Sequence, residues 1–195
     1  SGTVIGIGAC FAAELRHFLN DVPLSSDSFW IPSGLNNTFA LLDFFSWAVP
    51  GEQTGKGYGY SKTSNGDIVD WQPSFEQQQY KDALAHASSF VFTLGLAEVW
   101  EDKESGKVFW RGVPEQIFNE GRHQFRLSSV QENTENLENI VALIRQINPN
   151  APIVFTVSPV PLKATFSSKS CITSDCVSKS TLRLAINDYM SKTAS

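Results

Sequence analysis

The sequence predicts an α/β fold built on a mainly parallel sheet with helices on both faces, and three observations carry that expectation. Three short apolar runs, "TVIGIG" (3–8), "SFVFTLG" (89–95) and "PIVFTVSP" (152–159), lack polar alternation, as strands buried on both faces do. Segments with helical spacing separate these runs, and parallel strands require crossovers of that kind. Each run also ends on small or polar residues: Gly8, Ala9 and Cys10, then Thr93 and Gly95, then Ser158 and Pro159. In open parallel sheets, ligands collect beyond the carboxyl ends of the strands.

After the first run, "CFAAELRHFL" (10–19) sets Phe11, Leu15, Phe18 and Leu19 on one helical face and leaves His17 off that stripe. "NNTFALLDFFSWAV" (36–49) reads as a second helix, capped by Asn36 or Asn37 and stopped at Pro50 and Gly51. Residues 51–71, rich in Gly, Ser, Thr and Tyr, form an excursion with a hairpin at "SNGD" (64–67), where Asn65 and Gly66 favour a tight turn. "PSFEQQQYKDALAHAS" (73–88) is a third helix, with His86 near its negative end. "AEVWEDKESGKVFWRGV" (97–113) reads as a hairpin around Glu104, Ser105 and Gly106. Ser129 and Glu132 have capping-box spacing and open a helix with Leu137, Ile140, Val141, Ile144 and Ile147 on one face; Asn148 and Pro149 end it. "SKSTLRLAINDYM" (178–190) is the last helix, with Leu182, Ala185 and Ile186 inward.

A chain of 195 residues, 42% hydrophobic, suffices for one domain with its own core. A net charge of -5 without a basic block argues against nucleic acid as a partner. No apolar run reaches the ~18 residues of a membrane span, and no basic segment followed by an apolar stretch marks a signal peptide. The chain starts Ser-Gly and its only methionine is Met190, so the native start is expected upstream. Cys10, Cys171 and Cys176 form no disulfide framework, which predicts free thiols and a cytoplasmic location. No cofactor is expected, and no metal, because Cys171 and Cys176 have no second ligand pair.

The first turn, "GIGACFA" (6–12), decides the functional reading. A dinucleotide turn wants glycine where Phe11 stands, and no acidic residue closes a second strand at the required distance. A nucleophile suits the place better. Cys10 follows a buried strand and opens a helix, whose positive end lowers a thiol pKa, and backbone N–H groups at such a turn can hold an oxyanion. Taken alone, Cys10 reads equally as a small buried apolar residue.

"GACFA" resembles the G-S-C-F-A signature of the GSCFA family, with Ala9 in place of its serine. "NNTFAL", "FVFTLGLAEVW", "RHQFRLSSVQEN", "FTVSPVPLKATF" and "SKSTLRLA" resemble successive segments of that family in the same order, from about Thr3 to Met190. The resemblance implies a three-layer α/β/α, flavodoxin-like fold of the SGNH (GDSL-type) hydrolase kind, as a single domain over 1–195. It puts Cys10 at the nucleophile position, and Gly34 with Asn37, and Gly95, at the oxyanion-hole positions. Ala97 stands where that superfamily has asparagine; Asn36 or Asn37 is then the alternative donor. The superfamily's catalytic D-x-x-H near the C-terminus is absent, and Leu162 replaces the histidine of the family's "SPVRH". Two readings stay open: the domain lacks its C-terminal part, or another histidine serves. His123, on a polar loop before a helix, is the internal candidate.

The activity implied is that of an acyl-ester hydrolase or O-acyltransferase acting on an acylated small molecule or glycan, with Cys10 the most reactive of the three thiols. The alternative is a catalytically inactive, hydrolase-like binding or interaction domain, favoured by Ala9, Ala97, Leu162 and the missing D-x-x-H. Cys10, Gly34, Asn37 and Gly95 are expected at the mouth of one pocket, and Cys171 and Cys176 in a Ser/Lys-rich connection. The sequence does not fix the oligomeric state.

Overall fold

Alternate residues of a strand point to opposite faces, and in the second apolar run this puts Phe90, Phe92 and Leu94, all fully buried, on one side. The computed structural model describes residues 3–8, 35–52 and 58–193, without the side chains of Ser61 and Lys62. Cys10, Gly34 and the helix expected over 10–19 lie outside the described residues. In chain order the elements are β1 (Val4–Gly8), α1 (Thr38–Ala48), β2 (Tyr60–Lys62), β3 (Ile68–Asp70), α2 (Gln77–Ala85), β4 (Ser89–Leu94), β5 (Glu98–Asp102), β6 (His123–Leu127), α3 (Val130–Ile147), β7 (Ile153–Val157) and α4 (Cys171–Thr193). A short 3-10 turn, Glu115–Ile117, lies between β5 and β6.

The three apolar runs form one parallel sheet in the order β1-β4-β7. Register aligns Ile5 and Ile7 with Phe90 and Phe92, and these with Ile153 and Phe155. The resulting apolar face is covered from α1, whose Phe45 ring lies 5.8 Å from Phe92, and from α4, whose Tyr189 ring lies 5.7 Å from Phe155. Helix α3 packs between α1 and α4 and contributes Leu137, Ile140 and Ile144 to the same core. Each such buried side chain stabilises the fold by about 1.5–3 kcal/mol. The second helical layer implied by the resemblance would involve residues 10–19, outside the described residues.

The expected caps form. The Asn37 side chain accepts from the Ala40 N–H at the start of α1, and Ser129 and Glu132 make a reciprocal capping box on α3. The hairpin at Gly66 forms between β2 and β3, with Gly66 at φ +90°.

Four expectations are corrected. The turn at Gly106 exists, but the strand β5 pairs antiparallel with β6, from Glu98↔Leu127 to Asp102↔His123. Residues after the turn return antiparallel to β5 only briefly, with a bridge at Glu101↔Val108 flanked by the Asp102 and Phe109 N–H groups donating to the Lys107 and Trp100 carbonyls at 2.9 Å, and the Trp110 N–H then leaves the ribbon to donate to the Tyr58 carbonyl at 3.0 Å. His123 therefore opens a strand and does not sit on a loop. Helix α4 starts at Cys171, ahead of the expected Ser178, because Ser170 Oγ receives the Thr173 N–H at 3.2 Å and caps it. Cys171 and Cys176 are consequently helical, not in a connection.

Candidate strand-edge site

The carboxyl ends of β1, β4 and β7 lie side by side, with Gly8 opposite Thr93 and Thr93 opposite Thr156. Gly8 has φ +122°, and a Cβ there would fall 2.1 Å from the Thr93 carbonyl oxygen. Only glycine permits this exit from β1. The Thr156 hydroxyl donates to Thr93 Oγ1 at 3.0 Å and ties the next two strands at the same level.

Beyond β4 the chain turns through Gly95, Leu96 and Ala97. The Gly95 and Leu96 N–H groups both donate to the Asn36 carbonyl, at 2.8 and 3.1 Å. That pair of bonds docks the segment before α1 onto the strand edge and brings Asn37 and Gly95 together. Asn37 is 3% exposed and its amide is fully engaged: Oδ1 caps α1, and Nδ2 donates to the Trp110 carbonyl at 3.0 Å. Asn36 differs, because its buried Oδ1 has no hydrogen-bond partner among the described residues.

Ala97, at the position where the resemblance implies an asparagine, anchors a buried polar network. Its N–H donates to Ser178 Oγ of α4, and its carbonyl accepts from the Ser128 N–H and hydroxyl, all at 2.8 Å. Asn133 Nδ2 donates to Ser128 Oγ at 2.7 Å, Thr38 Oγ1 donates to Asn133 Oδ1 at 2.8 Å, and Asn136 Nδ2 donates to Thr38 Oγ1 at 3.0 Å. Past β7, the Ser158 N–H donates to the Leu94 carbonyl and Ser158 Oγ accepts from Val160. Lys179, 5% exposed, pairs with Asp175 at 2.9 Å and donates to the Val160 carbonyl; Asp175 also accepts from the Leu162 N–H. The carboxylate of Glu98 accepts from Thr165 Oγ1. The described parts of these segments, from Asn36, Gly95, Ala97 and Ser128 to Ser158 and Ser178, thus meet at one edge. Sequence reasoning missed Ser128, Asn133, Ser178 and Lys179, although all lie inside those segments, because Ser, Asn and Lys carry no chemical signature until their partners are known.

His123 is elsewhere. It opposes Asp102 at the far end of the β5–β6 ribbon, and β5 spans about 13 Å from Glu98 to Asp102 at ~3.3 Å per residue. The ring is 7% exposed, its Nδ1 accepts the Asn119 N–H at 3.1 Å, and it lines a cavity of about 340 Å³. An accepting Nδ1 leaves the proton on Nε2. Next to it, Asp102 is 1% exposed and receives Arg122 Nε and Nη2 at 3.0 and 2.7 Å, Tyr58 Oη at 2.9 Å and the Glu104 N–H at 3.0 Å. The Arg122 bonds, aided by Tyr58 and Glu104, hold the Asp102 carboxyl well below the usual carboxylate range, against the opposing effect of burial.

Among the described residues, no group of His, Cys, Asp and Glu is arranged to hold a metal ion, and no helix is long and apolar enough to cross a membrane. Compared with known proteins, the chain matches the model of the GSCFA family over residues 3–195. No curated protein and no solved structure matched.

Proposed function

Because the chain belongs to the GSCFA family, we propose that the strand edge is an acyl-transfer site with Cys10 as nucleophile. The Cys10 thiolate attacks an ester carbonyl, the alkoxide leaves with a proton, and an acyl-thioester forms; water or a substrate hydroxyl then attacks the thioester and restores the thiol. The observation that carries this reading is the forced glycine at Gly8, which turns the chain out of the sheet two residues before Cys10, at an edge shared with Asn36, Gly95 and Ser158.

In this reading Gly34, just ahead of the docked segment, offers a backbone N–H to the oxyanion. The Asn36 amide offers a second donor, since rotating it by half a turn puts its NH₂ where the unpartnered oxygen now lies. Gly95 and Asn37 act as positioning residues, the first by binding the Asn36 carbonyl, the second by capping α1. His123 belongs to the ribbon cavity, so the site relies on a thiol that ionises more readily than a serine hydroxyl. Such a thiol, with Cys171 and Cys176 free, suits a reducing cytoplasm.

A second reading, a binding domain without turnover, is favoured by the Gly95 and Leu96 N–H groups both being engaged already. Incubation with p-nitrophenyl acetate, followed by intact-mass spectrometry, separates the two. The acyl-transfer reading expects an acetyl adduct on Cys10 and a loss of turnover of about 10³-fold or more in Cys10→Ala. Turnover and adduct formation unchanged in Cys10→Ala, or absent from the native protein, would leave the binding reading standing.

A further inference from the structure

The cavity at the far end of the β5–β6 ribbon has the chemistry of a ligand site separate from the strand edge. Its aromatic walls are Tyr58, Tyr60 and Phe109, and its polar wall is formed by Arg122, Asp102 and His123. A volume of about 340 Å³ is at the small end of ligand pockets, which run from ~300 to ~1,000 Å³, and sizes the occupant to about one ring.

The polar wall is asymmetric. Both Asp102 oxygens already hold two hydrogen bonds each, from Arg122 and Glu104 on Oδ1 and from Arg122 and Tyr58 on Oδ2. The Arg122 charge is thereby answered by Asp102, while Glu104, 3.5 Å from Arg122, offsets Lys107, whose ammonium lies over the Tyr58 ring at 5.4 Å, so these four charges sum to zero and do not favour an anion. What is left is a donor. The His123 ring is more than nine-tenths buried, its Nδ1 is engaged by Asn119, and among the described residues its Nε2 makes no hydrogen bond. On the wall of the cavity that N–H is open to a ligand acceptor.

The aromatic wall selects among acceptors. The rings of Tyr60 and Phe109 are within 17° of parallel, whereas Tyr58 is tilted 53° to Phe109 and His123 stands at 80° to it. This is a corner, not a slot between two parallel faces, so a flat ring could stack on one wall only. A saturated ring with C–H groups on one face and hydroxyls at its rim matches both walls, because its C–H face can lie on an aromatic ring while a rim hydroxyl accepts from His123 Nε2–H. We infer that this cavity binds a neutral hexopyranose, through stacking on the tyrosine corner and a hydrogen bond from His123. The site is independent of Cys10 and of the acyl-transfer reading.

The test is ligand-detected NMR on the full chain with methyl β-D-glucopyranoside and its galacto and manno counterparts, alongside benzamide as a flat neutral probe and inorganic phosphate as an anion. At least one glycoside binds, its addition moves the wild-type His123 Nε2 resonance, and Tyr60→Ala weakens it by about fivefold or more. His123→Leu abolishes binding, His123→Gln restores part of it, and Cys10→Ala leaves it unchanged. Should His123→Leu fail to fold by circular dichroism, the Nε2 shift and Tyr60→Ala decide the matter. Binding of benzamide or phosphate in place of the glycosides overturns the inference. So does silence from every probe, or glycoside binding that ignores both Tyr60 and His123.

Discussion

A methyl group on Gly8 would meet the Thr93 carbonyl oxygen at 2.1 Å, in a conformation of φ +122° that side chains rarely adopt. Neither difficulty can relax cheaply, because the obstacle is backbone in the central strand of the sheet. Gly8→Ala is therefore expected to cost about 3 kcal/mol or more, the range of strained backbone combined with overpacking. A urea midpoint within experimental error of the native protein would show that β1 does not approach β4 as described. The neighbouring asparagines divide two tasks. Asn37 spends its whole amide on the α1 cap and on Trp110, while Asn36 uses its backbone carbonyl for the docking and leaves its side-chain oxygen unpartnered. Two adjacent residues of one type thus differ: Asn37 is committed to structure, and in the proposed acyl-transfer site the Asn36 amide is the one available.

The β5–β6 ribbon carries its own electrostatic element at Asp102. Its carboxyl is held below the ordinary value chiefly by the paired bonds from Arg122. A group whose folded pKa is depressed contributes stability that is present above its unfolded value, about 4, and is lost as pH falls toward the folded value. The native protein should accordingly lose stability steadily below about pH 4. Asp102→Asn should be less stable at neutral pH, where Arg122 loses its counter-charge, yet show a flatter acid limb. Urea midpoints between neutrality and acid, for both proteins, check this; parallel curves would mean that Asp102 titrates as an ordinary exposed carboxylate.

At the scale of the molecule, the sheet was legible because each strand announces itself locally, by an apolar run that needs no knowledge of its partner, although β7 is only half-buried, with Val154 47% exposed, where the apolar run alone predicted burial on both faces. The helix caps at Asn37 and Ser129 were legible for the same reason. The partner of β5 was not, since the turn at Gly106 is a local signal and the pairing with β6 is set by contacts far along the chain. For the candidate site, the sequence suggested Asn37 and Gly95 as neighbours but could not tell that Gly95 donates to Asn36 or that His123 occupies a cavity a ribbon's length away. The polar network under the edge was illegible too, and it supplies the last prediction. Ser178→Ala leaves the buried Ala97 N–H without a partner, and Thr38→Val removes the acceptor of Asn136 and the donor to Asn133. Each substitution alone should cost about 1–3 kcal/mol, the usual penalty for an unsatisfied buried group. Ser178 and Thr38 do not bond each other; they are joined only through Ala97, Ser128 and Asn133. If that chain holds α1, α3 and α4 as one unit on the strand edge, loosening either end already frees the other, and the double variant should fall short of the sum by about 0.5–2 kcal/mol. Urea unfolding of the four proteins in the cycle measures the shortfall. Additivity to within about 0.3 kcal/mol would mean a set of separate bonds, with nothing beneath the edge to hold Asn36 and Gly95 in register.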